Sequence, residues 1–137
     1  MKILLKRLGD NFAFEAKNEE GNCITIDTNE LGGGEGRGFT PMQLLLVGIG
    51  GCSGIDIVLT LKKQKQEIIS FEIEVEGIKE RVENYSVWKE ITLHFKLRGT
   101  IDLAKAERAA KLSHDKYCSV SKALSHSSKI NFKVSVN

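Results

Sequence analysis

One long apolar segment with a well-marked start constrains this chain more than any other feature. From Met42 to Leu61, apolar residues occupy most of the circumference of a helix, so we predict a long central helix that is buried on several sides. Thr40 suits the N-cap and Pro41 the first helical position, while Gln43 completes a capping box. The chain must therefore either build a core around this helix or insert it into a membrane.

A membrane helix is the less favoured of these two alternatives. The segment is long enough to span a bilayer. However, an aspartate such as Asp56 near mid-membrane costs roughly 2.5–3.5 kcal/mol, and Gln43 and four glycines lower the hydrophobicity further. We therefore expect no membrane partner.

The segments on either side of this helix alternate between apolar and polar residues, which is typical of half-buried strands. A glycine-rich stretch at 29–39 has no apolar period and predicts a flexible loop. Strands are predicted at residues 3–8, 12–16, 23–27, 71–76, 91–97 and 130–136, with a connection at 84–88.

A second, broken helix is predicted between the last two strands. Asp102 suits its N-cap, a first helical part runs to about Ser113, and a further turn or two covers 120–124, with a break near Cys118. The resulting order, β-β-β-α-β-β-α-β, indicates an α+β fold.

Length and charge favour a single small domain. The chain has 137 residues, so we expect one domain over residues 1–137. Its formal charge of +2 comes from scattered residues, which does not favour nucleic acid as a partner. The N-terminus lacks the apolar run of a signal peptide, and three cysteines are too few for a disulfide framework. We therefore expect a cytoplasmic protein.

The central helix is also unusually rich in glycine around a cysteine. Each of its glycines, Gly48, Gly50, Gly51 and Gly54, costs about 0.8–1 kcal/mol relative to alanine, which close packing must offset. Cys52 is then either a small core side chain or a reactive thiol. The glycine pair before it makes the two interpretations about equally plausible, because it can loosen the helix and expose N–H groups that stabilise a thiolate.

Two other kinds of site receive little support. The glycines at 32–38 lack the Lys-Ser/Thr of a phosphate loop, and no βαβ unit surrounds them. A zinc site built from the cysteines and His94, His114 or His126 is disfavoured, because no pair has the short spacing of such sites.

Two segments resemble the OsmC/Ohr family of proteins. Residues 41–56, which include Cys52, are similar to the helix that carries the peroxidatic cysteine in that family. Residues 117–124, which include Cys118, are similar to its second motif, with Ser119 in place of the usual proline. The glycine-rich loop and the order of the strands fit along nearly the whole chain.

The resemblance implies an OsmC-like fold, an intertwined homodimer and a specific chemistry. Cys52 would attack an organic hydroperoxide and become a sulfenic acid, and Cys118 would resolve it to a disulfide that an external dithiol reduces. No metal or bound cofactor is required. The implied role is defence against oxidative stress.

Two family residues have no clear counterpart here. The family carboxylate near the helix start corresponds at best to Gln43, which in a straight helix would lie about 13 Å along the axis from Cys52 and on the opposite side. The family arginine that stabilises the thiolate has only Arg37, in the glycine-rich loop, as a candidate. Cys23 lies in a predicted strand and is given no role.

A non-catalytic protein is the alternative that the sequence leaves open. The same dimer could hold a small apolar ligand at the subunit interface, with cysteines that only line the pocket. The neutral Gln43 favours this version.

Overall fold

The computed structural model describes all 137 residues, which form two compact units over residues 1–45 and 46–137. The fold is α+β, as predicted. The prediction of a single domain stays a prediction. Each unit is described by itself below.

The first unit contains a three-stranded antiparallel sheet in the order β1-β2-β3. Its strands are β1 (Leu4–Arg7), β2 (Phe14–Lys17) and β3 (Cys23–Ile26). Gly9 adopts a positive φ in the turn between the first two strands, as expected of a hairpin. All three predicted strands are therefore present, each a little shorter than predicted.

The glycine-rich loop of this unit is organised around one buried carboxylate. Asp27 is only 3% exposed and accepts hydrogen bonds from the backbone N–H groups of Thr28, Glu35 and Arg37. These bonds lower the pKa of Asp27, with the Arg37 N–H as the largest cause. The loop predicted to be flexible thus has a defined anchor, and that carboxylate occupies N–H groups that a phosphate would need.

The long helix α1 (Pro41–Lys63) begins where the sequence predicts. The Thr40 N–H donates to Gln43 Oε1 at 2.9 Å and the Gln43 N–H donates to Thr40 Oγ1 at 3.3 Å, which is a complete capping box. The helix is continuous through Gly50 and Gly51. The glycine pair therefore does not loosen it, contrary to expectation.

The second unit contains a sheet in the order β4-β5-β6. Strands β4 (Glu67–Val82) and β5 (Tyr85–Thr100) form a long antiparallel hairpin, and β6 (Lys129–Val136) pairs with β5 in parallel. The hairpin is longer than predicted, because Tyr85–Trp88, predicted as a connection, belongs to β5. The core side chains of this strand alternate along it; they are Ile91, Leu93, Phe95 and Leu97.

Within this unit, α1 packs one face against strand β4. A Cβ on Gly54 would lie 2.6 Å from Ile73 Cδ1, and one on Gly50 would lie 3.0 Å from Val75 Cγ2, so both glycines allow the close approach. A second side of the helix contacts the predicted broken helix, where the buried Ser53 donates to Cys118 and Asp56 accepts from Ser113. The remaining side, which includes Ile55, is exposed in the single chain. By length and composition alone, with a mean hydropathy of 2.0, α1 could also cross a membrane.

The predicted broken helix connects β5 to β6. Helix α2 (Leu103–Leu112) is capped by Asp102, whose carboxylate accepts from the Lys105 N–H at 3.1 Å. One π-helical turn (Ser113–Tyr117) follows, and α3 (Ser119–Leu124) begins after Cys118. The break at Cys118 is therefore confirmed.

Candidate active site

The structure brings Cys52 and Cys118 together, although they are far apart in sequence. Cys52 lies midway along α1 and Cys118 lies at the break before α3. Their Sγ atoms and a carboxylate oxygen of Asp56 all lie within 4.8 Å of one another. All three residues belong to the second unit.

Cys118 is held in place by the ends of two helical segments. Its N–H donates to the Ser113 carbonyl oxygen at 2.8 Å, which closes the π-helical turn. Its Sγ accepts from the Ser121 N–H at 3.3 Å, as an N-cap side chain does. Ser53 Oγ also donates to the same sulfur at 3.6 Å.

The two thiols differ in exposure and therefore in chemistry. Cys118 is 3% exposed, whereas Cys52 is half-buried. Burial raises the pKa of the Cys118 thiol, and a hydrogen bond with Cys52 raises it further, while the donors on Ser121 and Ser53 act in the opposite direction. Cys118 thus keeps its proton, and Cys52 is the more accessible sulfur.

Asp56 is the residue of this cluster that was not among the predicted site residues. It lies one helical turn after Cys52, so both side chains point from the same face of α1. Ser113 Oγ, which is buried, donates to Asp56 Oδ2 at 2.8 Å. The four-residue spacing of a cysteine and an aspartate on one helix was the signal available in the sequence.

The remaining predicted residues lie in the first unit. Gln43 forms the capping box, and Arg37 donates its backbone N–H to Asp27. Their roles beside Cys52 stay predictions. Cys23 is exposed on β3, as expected of a thiol without a role.

The second unit has three grooves near the cluster, of which two are lined by one of its residues. The first, of about 500 Å³, is apolar; it is lined by Gly51, Gly54, Ile55, Val58, Leu59, Lys62, Phe71 and Ile73. A second groove, of about 570 Å³, reaches Asp56, Thr60, Lys63 and Tyr117 among others. A third, of about 340 Å³, reaches Cys118 from the side of the π-helical turn.

Comparison with known proteins connects this geometry to one family. The family model described as OsmC-like protein matches residues 33–133. Protein YhfA of Escherichia coli strain K12 is 34% identical over 113 residues, which cover 81% of this chain and 80% of YhfA.

Solved structures have the same fold over nearly the whole chain. A hypothetical protein from Aquifex aeolicus VF5 is similar with a TM-score of 0.81 and 33% identity, covering 99% of this chain and 96% of that one. The organic hydroperoxide resistance protein OhrB of Bacillus subtilis is similar with a TM-score of 0.67 and 21% identity. The similarity covers 98% of this chain and 96% of OhrB. At that identity the second similarity concerns the fold alone.

Proposed function

Because this chain belongs to the OsmC-like protein family, we propose that it is a thiol-dependent peroxidase that reduces organic hydroperoxides in defence against oxidative stress. The observation that carries the proposal is the approach of the Cys52 and Cys118 sulfurs to within 4.8 Å of each other. A disulfide requires two sulfurs about 2.05 Å apart. The two sulfurs would have to approach each other by at most about 2.7 Å to form the bond.

The difference in exposure supports the two roles. Cys52, the more accessible sulfur, is the peroxidatic cysteine, and the buried Cys118 is the resolving one. Burial and a hydrogen bond with Cys52 raise the pKa of the Cys118 thiol, so Cys118 does not compete with Cys52 for the hydroperoxide.

The proposed reaction has three steps. The Cys52 thiolate attacks the terminal oxygen of the hydroperoxide, the O–O bond breaks, and the alcohol leaves after taking up a proton. The sulfenic acid on Cys52 then condenses with the Cys118 thiol, which forms the disulfide and releases water. An external dithiol reduces that disulfide and becomes oxidised itself.

A homodimer in the cytoplasm is part of this proposal. Apolar side chains of α1, including Ile55 and Leu59, are exposed in the single chain and line the apolar groove. A second copy of the chain would bury them, and Gly51, where an added Cβ would meet nothing within 4 Å in the single chain, allows a close approach. The OsmC-like fold makes an intertwined arrangement the one that we expect.

Peroxide consumption with excess dithiothreitol tests the proposal. We expect turnover of cumene hydroperoxide by the wild type, none by Cys52→Ser, and a single equivalent consumed by Cys118→Ser with dithiothreitol withheld. Cys23→Ser is the matched control and keeps full activity. A wild type that consumes only one equivalent in the presence of dithiothreitol contradicts the proposal.

Such a result would favour the second candidate function, a non-catalytic dimer that binds a small apolar ligand. The observation in its favour is the apolar groove of about 500 Å³ beside Cys52, a size typical of small-molecule sites. A second observation is the Asp56 carboxylate, which lies within 4.8 Å of both sulfurs, where a cation would be expected beside a reactive thiol.

A further inference from the structure

The cluster of two sulfurs and one carboxylate has the composition of a metal site. Cys52 Sγ, Cys118 Sγ and an Asp56 carboxylate oxygen lie within 4.8 Å of one another. In a tetrahedral zinc site, bond lengths of about 2.3 Å to sulfur and 2.0–2.2 Å to oxygen place neighbouring ligand atoms about 3.6–3.8 Å apart. The three side chains would therefore have to close by about 1 Å.

The surroundings of these atoms match those of metal ligands. Carboxylates that bind metals are usually held by a second hydrogen bond, and the buried Ser113 hydroxyl donates to Asp56 at 2.8 Å. Cys118 Sγ accepts from the Ser121 N–H and from Ser53 Oγ. Neighbouring hydrogen-bond donors thus orient the Cys118 sulfur and the Asp56 carboxylate in the absence of a metal ion.

The cluster is also accessible. Asp56 lines a groove of about 570 Å³, and Cys118 lines another of about 340 Å³. An ion could enter through either groove, and a water or another ligand could take the fourth position. Lys63 and Lys122 line these two grooves, so each approach also carries a positive charge.

We propose that Cys52, Asp56 and Cys118 form a binding site for a thiophilic divalent cation of the Zn²⁺ class. Two thiolates select a soft or borderline metal over Mg²⁺ or Ca²⁺. The bound ion coordinates both sulfurs of the proposed redox pair. It therefore prevents the Cys52–Cys118 disulfide from forming and blocks the attack of Cys52 on a hydroperoxide. The site needs the geometry of the pair but does not depend on peroxidase turnover.

Metal titration of the fully reduced protein without peroxide tests this site. In a Cys23→Ser background, we expect one Zn²⁺ per chain in competition with a chromogenic chelator, and thiolate-to-metal charge transfer when Co²⁺ is the probe. Losing a hydrogen-bond partner of a ligand typically lowers affinity about 10–100-fold. Ser113→Ala should fall in that range, and Asp56→Asn should lose at least about 100-fold, since it removes a ligand.

The matched control is Asp10→Asn, an exposed aspartate of the first unit that lines neither groove. It should bind Zn²⁺ as the background protein does. Equal affinity in Asp56→Asn and Asp10→Asn would overturn the proposal, as would the absence of saturable binding at one ion per chain.

A measurement on the unmodified protein keeps the test valid if a variant fails to fold. A cysteine thiol with the ordinary pKa of about 8.5 is mostly protonated at neutral pH and must lose that proton to bind a metal. Calorimetry in buffers of different ionisation enthalpy should therefore find at least one proton released per Zn²⁺. Binding without proton release would contradict ligation by Cys118. An inactive peroxidase would leave this result unchanged.

Discussion

At the scale of single residues, Cys118 shows how position determines the chemistry of a thiol. It ends a π-helical turn and begins α3, so its sulfur is fixed by the Ser121 N–H. Its burial and its hydrogen bond with Cys52 both favour the protonated form. A resolving cysteine benefits from this, because a protonated thiol does not compete for peroxide and is still present when the sulfenic acid forms.

The raised pKa of Cys118 predicts a pH dependence of stability. The folded chain holds this proton at pH values where the unfolded chain, with the ordinary value of 9.0, releases it. The resulting stabilisation is complete below that ordinary value and is lost as pH rises through the raised folded one. We expect the free energy of unfolding of the reduced wild type, relative to Cys118→Ala, to fall as the pH rises above the ordinary value of 9.0.

Urea unfolding under reducing conditions measures this difference. The comparison with Cys118→Ala removes the contribution of lysines and tyrosines, which titrate in both proteins. A difference that stays constant over the whole range would show that the folded state does not favour the protonated thiol.

At the scale of secondary-structure elements, the glycines of α1 differ in which atoms the methyl group of an alanine would contact. A Cβ on Gly54 would lie 2.6 Å from Ile73 Cδ1, whereas one on Gly51 would meet nothing within 4 Å in the single chain. Gly54→Ala therefore forces the terminal methyl group of Ile73 to move, which offsets part of the helix propensity that alanine adds. Gly51→Ala should gain about 0.8–1 kcal/mol of helix propensity within the chain.

Chemical unfolding of the two variants checks this prediction, with Gly51→Ala as the matched control for Gly54→Ala. The free energy of unfolding should be lower for Gly54→Ala than for Gly51→Ala. The reverse order would mean that α1 does not pack against β4 through Gly54.

The sequence predicted those elements whose ends are set by local chemistry. The capping box at Thr40, the N-cap at Asp102 and the break at Cys118 each depend on hydrogen bonds between residues close in the chain. The outer part of the β4–β5 hairpin was missed, because strand Tyr85–Thr100 begins with residues that lack regular alternation. There, pairing with β4 decides the structure rather than the local pattern.

The site was predictable only in part, for a related reason. The resemblance of two short segments indicated Cys52 and Cys118, and their proximity required the fold. In the sequence, Asp56 argues only against a membrane helix. Its spacing places it beside Cys52, but Ser113 and Cys118 come from distant elements, so their approach to Asp56 required the fold.

At the scale of the whole molecule, the exposed apolar surface of α1 predicts self-association. Ile55 is 71% exposed in the single chain and lines the apolar groove. We expect analytical ultracentrifugation to find a dimer for the wild type and a monomer for Ile55→Lys, because an interfacial lysine would be buried without a partner. Ile69→Lys is the matched control, since Ile69 on β4 is 76% exposed and does not line that groove.

A dimer that persists in Ile55→Lys, or that is lost equally in Ile69→Lys, would contradict this assignment of the interface. The two substitutions introduce the same charge at similarly exposed isoleucines of the same unit. Their comparison therefore separates the effect of the α1 surface from the effect of an added lysine.

The central claim is that Cys52 and Cys118 of one chain form a redox pair, and the product of one oxidation tests it most directly. The reduced protein is treated with one equivalent of cumene hydroperoxide and then analysed by intact mass and by non-reducing peptide mapping. We predict that the chain loses the mass of two hydrogen atoms and that the Cys52 peptide is linked to the Cys118 peptide. A sulfinic acid on Cys52 beside a free Cys118, or a link between the Cys52 residues of two chains, would contradict the account.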